Sequence, residues 1–402
     1  WLDNLKVRAS YGILGNQLLT ASSWSGNTKY YPYIPFMASG TAGNWLFVDG
    51  EKSLYINPAG LVSSDLTWEK ASTFNIGLDF TMLNQRLDFS FDWYQRTTSD
   101  MLVKVEYPEV LGTTAPPANK AELRTRGWEV SVKWNDRIGN DFSYDLGFIL
   151  SDSQAEITKY ENPSGTLSDY YVGQKIGEIW GYETEGFYQS DTDVQNHADQ
   201  SKLGANWAPG DIMYKDLDGN KKINNGSNTL DDHGDLKVIG NTTPRYQYGI
   251  TANMSYKNVY LNVFFQGIGK RDFWPSSQPF WPVATQYYNT QKWFVTDSWS
   301  EDNRDAYFAR PIARETKNQQ KQTKYLQDAS YCRLKNLTVG YDFPKSWLSF
   351  LHVAKAGVYF SAENLFEFTN VKGAYDPEAA GKNGTMVYPF QRTYSFGLNV
   401  TF

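Results

Sequence analysis

The feature that most constrains the fold of this chain is a set of ten segments in which apolar and polar residues alternate. In the last one, RTYSFGLNVTF, every second residue from Tyr394 to Phe402 is apolar, and the residues between them are small or polar. Such alternation is typical of a strand with one apolar face. Each segment is close to the roughly 9–11 residues with which a tilted strand crosses a bilayer. The segments lie at residues 4–12, 72–80, 86–96, 126–134, 142–150, 246–256, 259–267, 330–343, 356–368 and 392–402.

The connections between these segments fall into two classes that alternate along the chain. Every second connection is short, as in TMLNQ, NDRIGN, the pair Lys257 and Asn258, and PKSWLSFLHVAK. The others are long and cover about 13–71, 97–125, 151–245, 268–329 and 369–391. Barrels of the outer membrane have short periplasmic turns and longer external loops, whereas a soluble sandwich has no reason to segregate them.

The sequence therefore predicts an all-β fold, a transmembrane up-and-down antiparallel β-barrel with long extracellular loops. The C-terminus then lies on the periplasmic side. We expect Asn84, Gly139 and Asn258 in periplasmic turns. We expect five other positions in external loops: Ser39, Pro116, Gly226, Gln319 and Gly381.

Composition fits this prediction. The chain has 14 Trp, 28 Tyr and 23 Phe, yet its mean hydropathy is a polar −0.55. No stretch reaches the roughly 18 apolar residues of a membrane helix, which excludes a helical membrane protein, but barrel strands are apolar on one side only. The aromatic residues would then form girdles at the membrane interfaces. A soluble β-sandwich with an aromatic core is the alternative.

Charge and cysteine content remove further classes of protein. A net charge of −6 and a pI near 5.3 argue against a nucleic-acid partner, which would favour a basic face. Cys332 is the single cysteine, so no disulfide forms within the chain. We interpret Cys332 as a packed strand residue.

Several motifs resemble one known family along the whole chain. These are LDNLKVRASYGILGN, LTWEKASTFNIGLDF, FDWYQRTTSDML, RGWEVSVKWN, IGEIWGYETEGFYQSD, APGDIMYKDLDGNKKIN, VIGNTTPRYQYGITANMSYKNVYLNVFFQG, YCRLKNLTVGYDFP and VYFSAENLFEFTN. Together they resemble the C-terminal part of the SusC/RagA-type TonB-linked outer-membrane transporters of Bacteroidetes.

This resemblance implies a 22-stranded barrel with a plug, energised through TonB and capped by a SusD-like surface lipoprotein. It also implies that Phe402 belongs to the signal read by the barrel-assembly machinery. Ten strands cannot close such a barrel, and neither a plug nor a TonB box is recognisable here. We therefore expect residues 1–402 to be the C-terminal portion of the barrel, with its two edge strands paired to further chain.

The sharpest local motif is DLDGNKKINNGSNTLDD, residues 216–232, in the longest connection. Its first residues have the spacing of a calcium loop, but position 12 is Ser227 rather than an acidic residue. Asp231 or Asp232 would have to supply that carboxylate, and a plain turn stabilised by its own side chains is the alternative. No other cofactor is expected. The predicted calcium ligands are Asp216, Asp218, Asn220, the carbonyl of Lys222, and Asp231 or Asp232.

Tryptophans in the long connections are candidates for contact with substrate or with a partner protein, although packing of loop against loop explains them equally well. They are Trp24, Trp45, Trp180, Trp207, Trp274, Trp281, Trp293 and Trp299.

The sequence shows no nucleophile elbow, phosphate loop or zinc spacing, so we predict no catalytic residues and no enzyme. The expected function is TonB-dependent import of glycan oligosaccharides or oligopeptides through the outer membrane of a Bacteroidetes-type Gram-negative bacterium, in contact with outer-membrane lipid. A secreted carbohydrate-binding or carbohydrate-degrading β-protein and a passive porin are the alternatives.

Overall fold

A computed structural model describes residues 1–16, 34, 37, 39–41, 54–57, 61–62, 66–104, 116–277, 280–284, 290–349, 352–373, 375–379 and 390–402. Its strands are β1 (Leu2–Asn16), β2 (Ser39–Thr41), β3 (Leu54–Ile56), β4 (Glu69–Met82), β5 (Leu87–Lys104), β6 (Pro117–Ile138), β7 (Phe142–Lys159), β8 (Glu178–Tyr182), β9 (Thr184–Phe187), β10 (Ile212–Tyr214), β11 (Leu236–Asn241), β12 (Arg245–Tyr256), β13 (Val259–Lys270), β14 (Asp272–Phe273), β15 (Gln327–Asp328), β16 (Tyr331–Asp342), β17 (Lys355–Thr369) and β18 (Thr393–Thr401).

The helices are short. They are α1 (Asp191–Asn196), α2 (Lys292–Thr296) and α3 (Lys345–Leu348), with 3₁₀ turns at Pro282–Ala284, Lys317–Gln319 and Pro377–Ala379. Within the described residues, none of these helices is long and apolar enough to cross a membrane.

The long strands form one antiparallel sheet of ten strands in the order β1-β4-β5-β6-β7-β12-β13-β16-β17-β18. Each strand pairs with the next long strand along the chain, which is the up-and-down topology. Each of the ten alternating segments forms one of these strands, so the predicted all-β fold is confirmed. In the described residues the sheet is open, because β1 pairs only with β4 and β18 only with β17.

Three strands exceed their alternating segments the most. β5, β6 and β7 contain 18, 22 and 18 residues. Their extensions, such as Thr97–Lys104 paired with Pro117–Arg124, alternate poorly but continue the backbone pairing, with register shifts between Thr98 and Leu102. Alternation is needed only where one face meets lipid, and beyond the bilayer water solvates both faces while the backbone bonds still form.

The turns at one end of the sheet are tight. Asn84 has a φ of 59°, Gly139 a φ of 64° and Lys257 a φ of 53°. Positive φ at these positions lets the chain reverse within a few residues. The structure places Asn84, Gly139 and Asn258 at this end.

The long connections leave the opposite end of the sheet, as the alternation predicts. Ser39, Pro116, Gly226 and Gln319 all lie in them, whereas Gly381 lies outside the described residues. The short pairs β8 with β11, β9 with β10, β14 with β15 and β2 with β3 occur in these connections and were not predicted.

Candidate functional site

The register of the ten-stranded sheet collects apolar side chains on one face and polar side chains on the other. One aligned row of six strands consists of Val7, Leu78, Phe91, Val130, Leu150 and Tyr248. The adjacent row points the other way and runs through Lys6, Asp79, Ser90, Ser131, Ile149, Gly249, Gln266, Arg333 and Glu367. A barrel turns such an apolar face toward lipid and such a polar face toward its lumen. We call these the outer and the inner face.

The last strand follows the same rule. Phe396 pairs with Phe360 and Leu398 with Val358 on the outer face, while Ser395 and Asn399 belong to the inner face. The aromatic rings of Phe360 and Phe396 lie 5.1 Å apart between their centroids. The predicted division of this strand into a lipid side and a lumen side therefore matches its register.

The inner face carries ion pairs that join neighbouring strands. The Arg8 guanidinium on β1 donates to both carboxylate oxygens of Asp79 on β4, at 2.7 and 2.8 Å, and to both oxygens of Asp92 on β5, at 2.8 and 2.7 Å. Gly77 stands between these partners, and a Cβ at that position would lie 2.6 Å from the Asp92 carboxylate and 2.7 Å from the guanidinium. Glycine is therefore required for the guanidinium to reach Asp92 across β4.

The largest buried apolar cluster lies in the connections above the sheet, and we call it the aromatic cap. Its rings contact one another at close range, with centroids 5.3 Å apart for Phe280 and Phe308 and 5.0 Å apart for Trp281 and Tyr325. Burial raises the pKa of Tyr307, which packs on its edge, to about 12, so that phenol stays neutral. The cap consists of Tyr182, Phe187, Ile212, Tyr214, Ile223, Phe280, Trp281, Phe294, Trp299, Ala306, Phe308, Ala309 and Tyr325.

Because its members come from the β7–β12 and β13–β16 connections, the cap ties two of the long connections into one packed unit at the end of the sheet where those connections leave. The sequence did not predict this core, since its aromatics follow no period.

A buried carboxylate organises the polar part of the cap. Asp211 is fully buried and accepts two hydrogen bonds of 2.9 Å from the Arg310 guanidinium and one of 2.9 Å from the Asn318 amide. The ammonium of Lys317, itself 1% exposed, lies 3.0 Å away. Burial alone would raise the pKa of Asp211, but these donors hold it below its usual range. The carboxylate is therefore ionised and bridges both connections.

Five of the six described tryptophans that were predicted to contact substrate or a partner protein lie in or beside the cap. Trp281 is 8% exposed within it, and Trp207, Trp274 and Trp293 are partly buried against it. Trp299 is also a buried member of the cap, and Trp180 donates its indole N–H to the Tyr171 hydroxyl at 3.1 Å. Packing of loop against loop is thus what the structure shows for them, and contact with a ligand stays a prediction. Trp24 and Trp45 lie outside the described residues.

The predicted calcium loop brings three carboxylates together. Ligand oxygens of Asp216, Asp218 and Asp235 lie within 4.8 Å of one another. The Asp216 oxygens also accept backbone N–H bonds of 2.8 Å from Gly219 and Lys221, which curls the loop around this carboxylate.

Neither Asp231 nor Asp232 belongs to this group of three. Asp232 instead accepts bonds of 2.9 and 2.6 Å from the backbone and hydroxyl of Ser227. The loop does fold back and bring in a distant carboxylate, as the prediction required. The segment that folds back is longer than the sequence indicated, and it ends at the fully buried Asp235. Gly226 and Gly234, both with a φ of 54°, allow the turns of this segment. They are the sequence feature that could have indicated its length.

Comparisons with known proteins agree with this architecture. The sequence model of the TonB dependent receptor-like β-barrel matches residues 1–365. This chain belongs to that family of TonB-dependent receptors.

Two curated relatives match almost all of the chain. It is 28% identical over 99% of its length to TonB-dependent receptor P3 of Formosa agariphila, and 26% identical over its full length to TonB-dependent receptor SusC of Bacteroides thetaiotaomicron. It covers 39% and 38% of those proteins, so it spans about two fifths of their length. The resemblance to SusC/RagA-type receptors is therefore confirmed, and both relatives are receptors by name rather than enzymes.

Solved structures share the fold. The RagAB peptide transporter superposes with a TM-score of 0.72 at 24% identity, over 100% of this chain and 41% of that one. The same importer in its closed-closed state gives 0.70 at 25% identity, over 100% and 41%. Receptors of this family are outer-membrane proteins of Gram-negative bacteria. We therefore expect the apolar face to contact lipid and the long connections to lie outside.

Proposed function

We propose that residues 1–402 are the C-terminal barrel portion of a TonB-dependent transporter that imports oligomeric nutrients, either glycan oligosaccharides or oligopeptides. The observation that supports this best is the combination of a polar, ion-paired inner face with a packed cap over the external end of the sheet. Polar solutes pass along a wall that offers hydrogen bonds. A folded cap can bind a solute and control its entry, whereas a passive porin has an open entrance.

The proposal includes two protein partners, a SusD-like surface lipoprotein outside and TonB inside. Support for the first comes from the likeness to the RagAB transporter, a two-component assembly by name, and to SusC. Support for the second comes from the family itself. The source would be a Bacteroidetes-type bacterium, in line with the organisms of the two curated relatives.

Uptake by whole cells tests this function. Cells expressing the full-length gene should accumulate fluorescently labelled oligosaccharides or oligopeptides, and cells lacking it should not. Inactivation of TonB should abolish the difference. Uptake that persists without TonB would favour the porin, and a full-length protein that stays monodisperse without detergent would favour the soluble carbohydrate-binding protein.

We also propose that Phe402 is recognised by the barrel-assembly machinery. Its side chain is 91% exposed directly after β18, and it continues the alternation of Phe396, Leu398 and Val400. Assembly into the outer membrane, measured for Phe402→Ala against Thr401→Ala, tests this role. Equal assembly of the two variants would exclude this role for Phe402.

A calcium ion in the 216–235 loop is a further proposal. The converging carboxylates of Asp216, Asp218 and Asp235 support it, because calcium binds oxygen ligands that converge on one point. Such an ion would order an exposed external loop and has no chemical step to perform.

A further inference from the structure

The first described residues of the connection between β17 and β18 lie between the aromatic cap and the inner face of the sheet. Residues 370–373 and 375–379 of this connection are described, and we call them the strap. One side of the strap contacts the cap and the other contacts the barrel wall. The two sides differ in chemistry.

The side that faces the cap makes mainly apolar and aromatic contacts. The Tyr375 ring lies 5.6 Å from Phe273 and 6.2 Å from Phe280 between centroids, and its hydroxyl bonds to that of Ser277. Gly373 approaches Trp293 so closely that a Cβ would lie 2.8 Å from the indole. These contacts bury ring surface, so separating strap from cap would expose it to water.

The side that faces the wall consists of ion pairs. Arg333 of β16 is 1% exposed and donates 2.6 Å bonds to Asp376 and to Glu378, and its guanidinium lies 3.3 Å from Glu367. Lys335 donates a 2.8 Å bond to Glu378.

Arg333 and Lys335 lie two residues apart on β16, so regular strand alternation turns both side chains to the same face. The ladder is irregular between Leu334 and Asn336. Two cations of the wall therefore lie where the strap presents two carboxylates.

We infer that four charged residues form a latch, a set of ion pairs that opens reversibly at the external entrance of the barrel. They are Arg333 and Lys335 on the wall and Asp376 and Glu378 on the strap. Strap and aromatic cap move as one unit, and they part from the barrel wall at these ion pairs. When the ion pairs separate, water and passing polar solutes can hydrogen-bond to the freed charged groups. Water cannot replace the contacts between aromatic rings in the same way. The inference rests on the proposed transport function, because release matters only if something passes the mouth.

Reversible cross-linking of the full-length protein in cells tests the latch. In a Cys332→Ser background, Lys335→Cys with Glu378→Cys places one thiol on each side of the latch. Bridging them with a bismaleimide that contains a disulfide should lower uptake at least tenfold, and reduction of the linker should restore it.

The matched control is Lys324→Cys with Lys372→Cys, because the ammonium groups of Lys324, on a cap segment, and Lys372, on the strap, lie 5.9 and 4.3 Å from the centroid of the same Tyr307 ring. If cap and strap move together, bridging this pair should leave uptake within twofold of the unbridged protein. Loss of uptake in the control, or unchanged uptake in the bridged latch pair, would overturn the inference. Absence of uptake before any cross-linking would instead reject the proposed transport function.

Hydrogen exchange gives an independent readout. Asp376→Asn combined with Glu378→Gln keeps the shape of the strap and removes its charge. We expect the amide of Ala379, which donates to the Asp376 carbonyl, to exchange at least tenfold faster, while the Ala309 amide in the cap, which donates to the Tyr325 hydroxyl, stays within twofold. Glu301→Gln, an exposed carboxylate in the β13–β16 connection, is the control. Equal loss of protection in strap and cap would contradict a separation at the ion pairs.

Discussion

Replacing Asp211 by asparagine should loosen the aromatic cap while leaving the barrel strands folded. The substitution keeps the shape of the side chain but removes the charge that pairs with Lys317 and Arg310. Arg310 is 30% exposed and can be solvated, but Lys317 is 1% exposed and loses its only counter-charge within the described residues.

Leaving one partner of a buried ion pair without its counter-charge costs about 3–5 kcal/mol, and the partial exposure of Arg310 favours the lower end of this range. A cost of about 3 kcal/mol corresponds to roughly a 100-fold change in the opening equilibrium. The amide of Ile212, which donates to the Asn318 side chain at 2.9 Å, reports this opening directly. Hydrogen exchange on the full-length protein should show that amide exchanging about 100-fold faster.

The control for this experiment is Asp302→Asn, an exposed carboxylate in the β13–β16 connection. It should leave the Ile212 amide unchanged. An Ile212 amide that exchanges equally in wild type and Asp211→Asn would refute the view that this carboxylate holds the two connections together.

Lowering the pH should weaken the cap by protonating the Asp211 carboxylate. The folded pKa of Asp211 lies below its usual value, so the carboxylate adds stability that is present above the unfolded pKa of about 3.9 and is lost as pH falls through the folded value. Corrected for intrinsic rates, cap protection should therefore fall below about pH 4 in the wild type and vary less in Asp211→Asn. A wild-type profile as flat as that of the variant would contradict the assignment.

Two further predictions address topology and metal. Single cysteines in the Cys332→Ser background should label from outside intact cells at Gly226 and Gln319 but not at Asn258, and the reverse pattern would invert the orientation. Chelation by EDTA should increase proteolysis within residues 211–240 and spare the strands, because the carboxylates of Asp216 and Asp235 repel each other without an ion. Identical cleavage with and without EDTA would remove calcium.

The barrel strands could be predicted because lipid imposes a rule that is visible in the sequence. Each strand must satisfy its backbone within the sheet and present one apolar face, so residues such as Phe396 and Leu398 alternate with Ser395 and Asn399. The strand extensions were missed because water surrounds them and the rule no longer applies.

The cap and the strap could not be predicted, because their contacts join residues far apart in sequence and follow no period. Asp211 meets Lys317, and Arg333 meets Asp376 and Glu378, only after the connections have folded. Arg333 is a charged residue within an alternating segment, which is a weak indication that it has a charged partner. Asp235 was missed because the distance from Asp218 to the third carboxylate depends on how the intervening residues bulge.

Transport by this barrel requires that the outer face of the sheet contacts lipid and that the inner face lines the lumen. Leu398→Arg places a charge on the outer face of β18, where an arginine near the midplane costs about 2–4 kcal/mol, and Asn399→Arg places the same charge on the inner face. Assembly in the outer membrane, measured by the heat-modifiable mobility of the full-length protein, should be impaired for Leu398→Arg and close to wild type for Asn399→Arg. Equal assembly of the two variants, or a greater defect in Asn399→Arg, would contradict the assignment of faces.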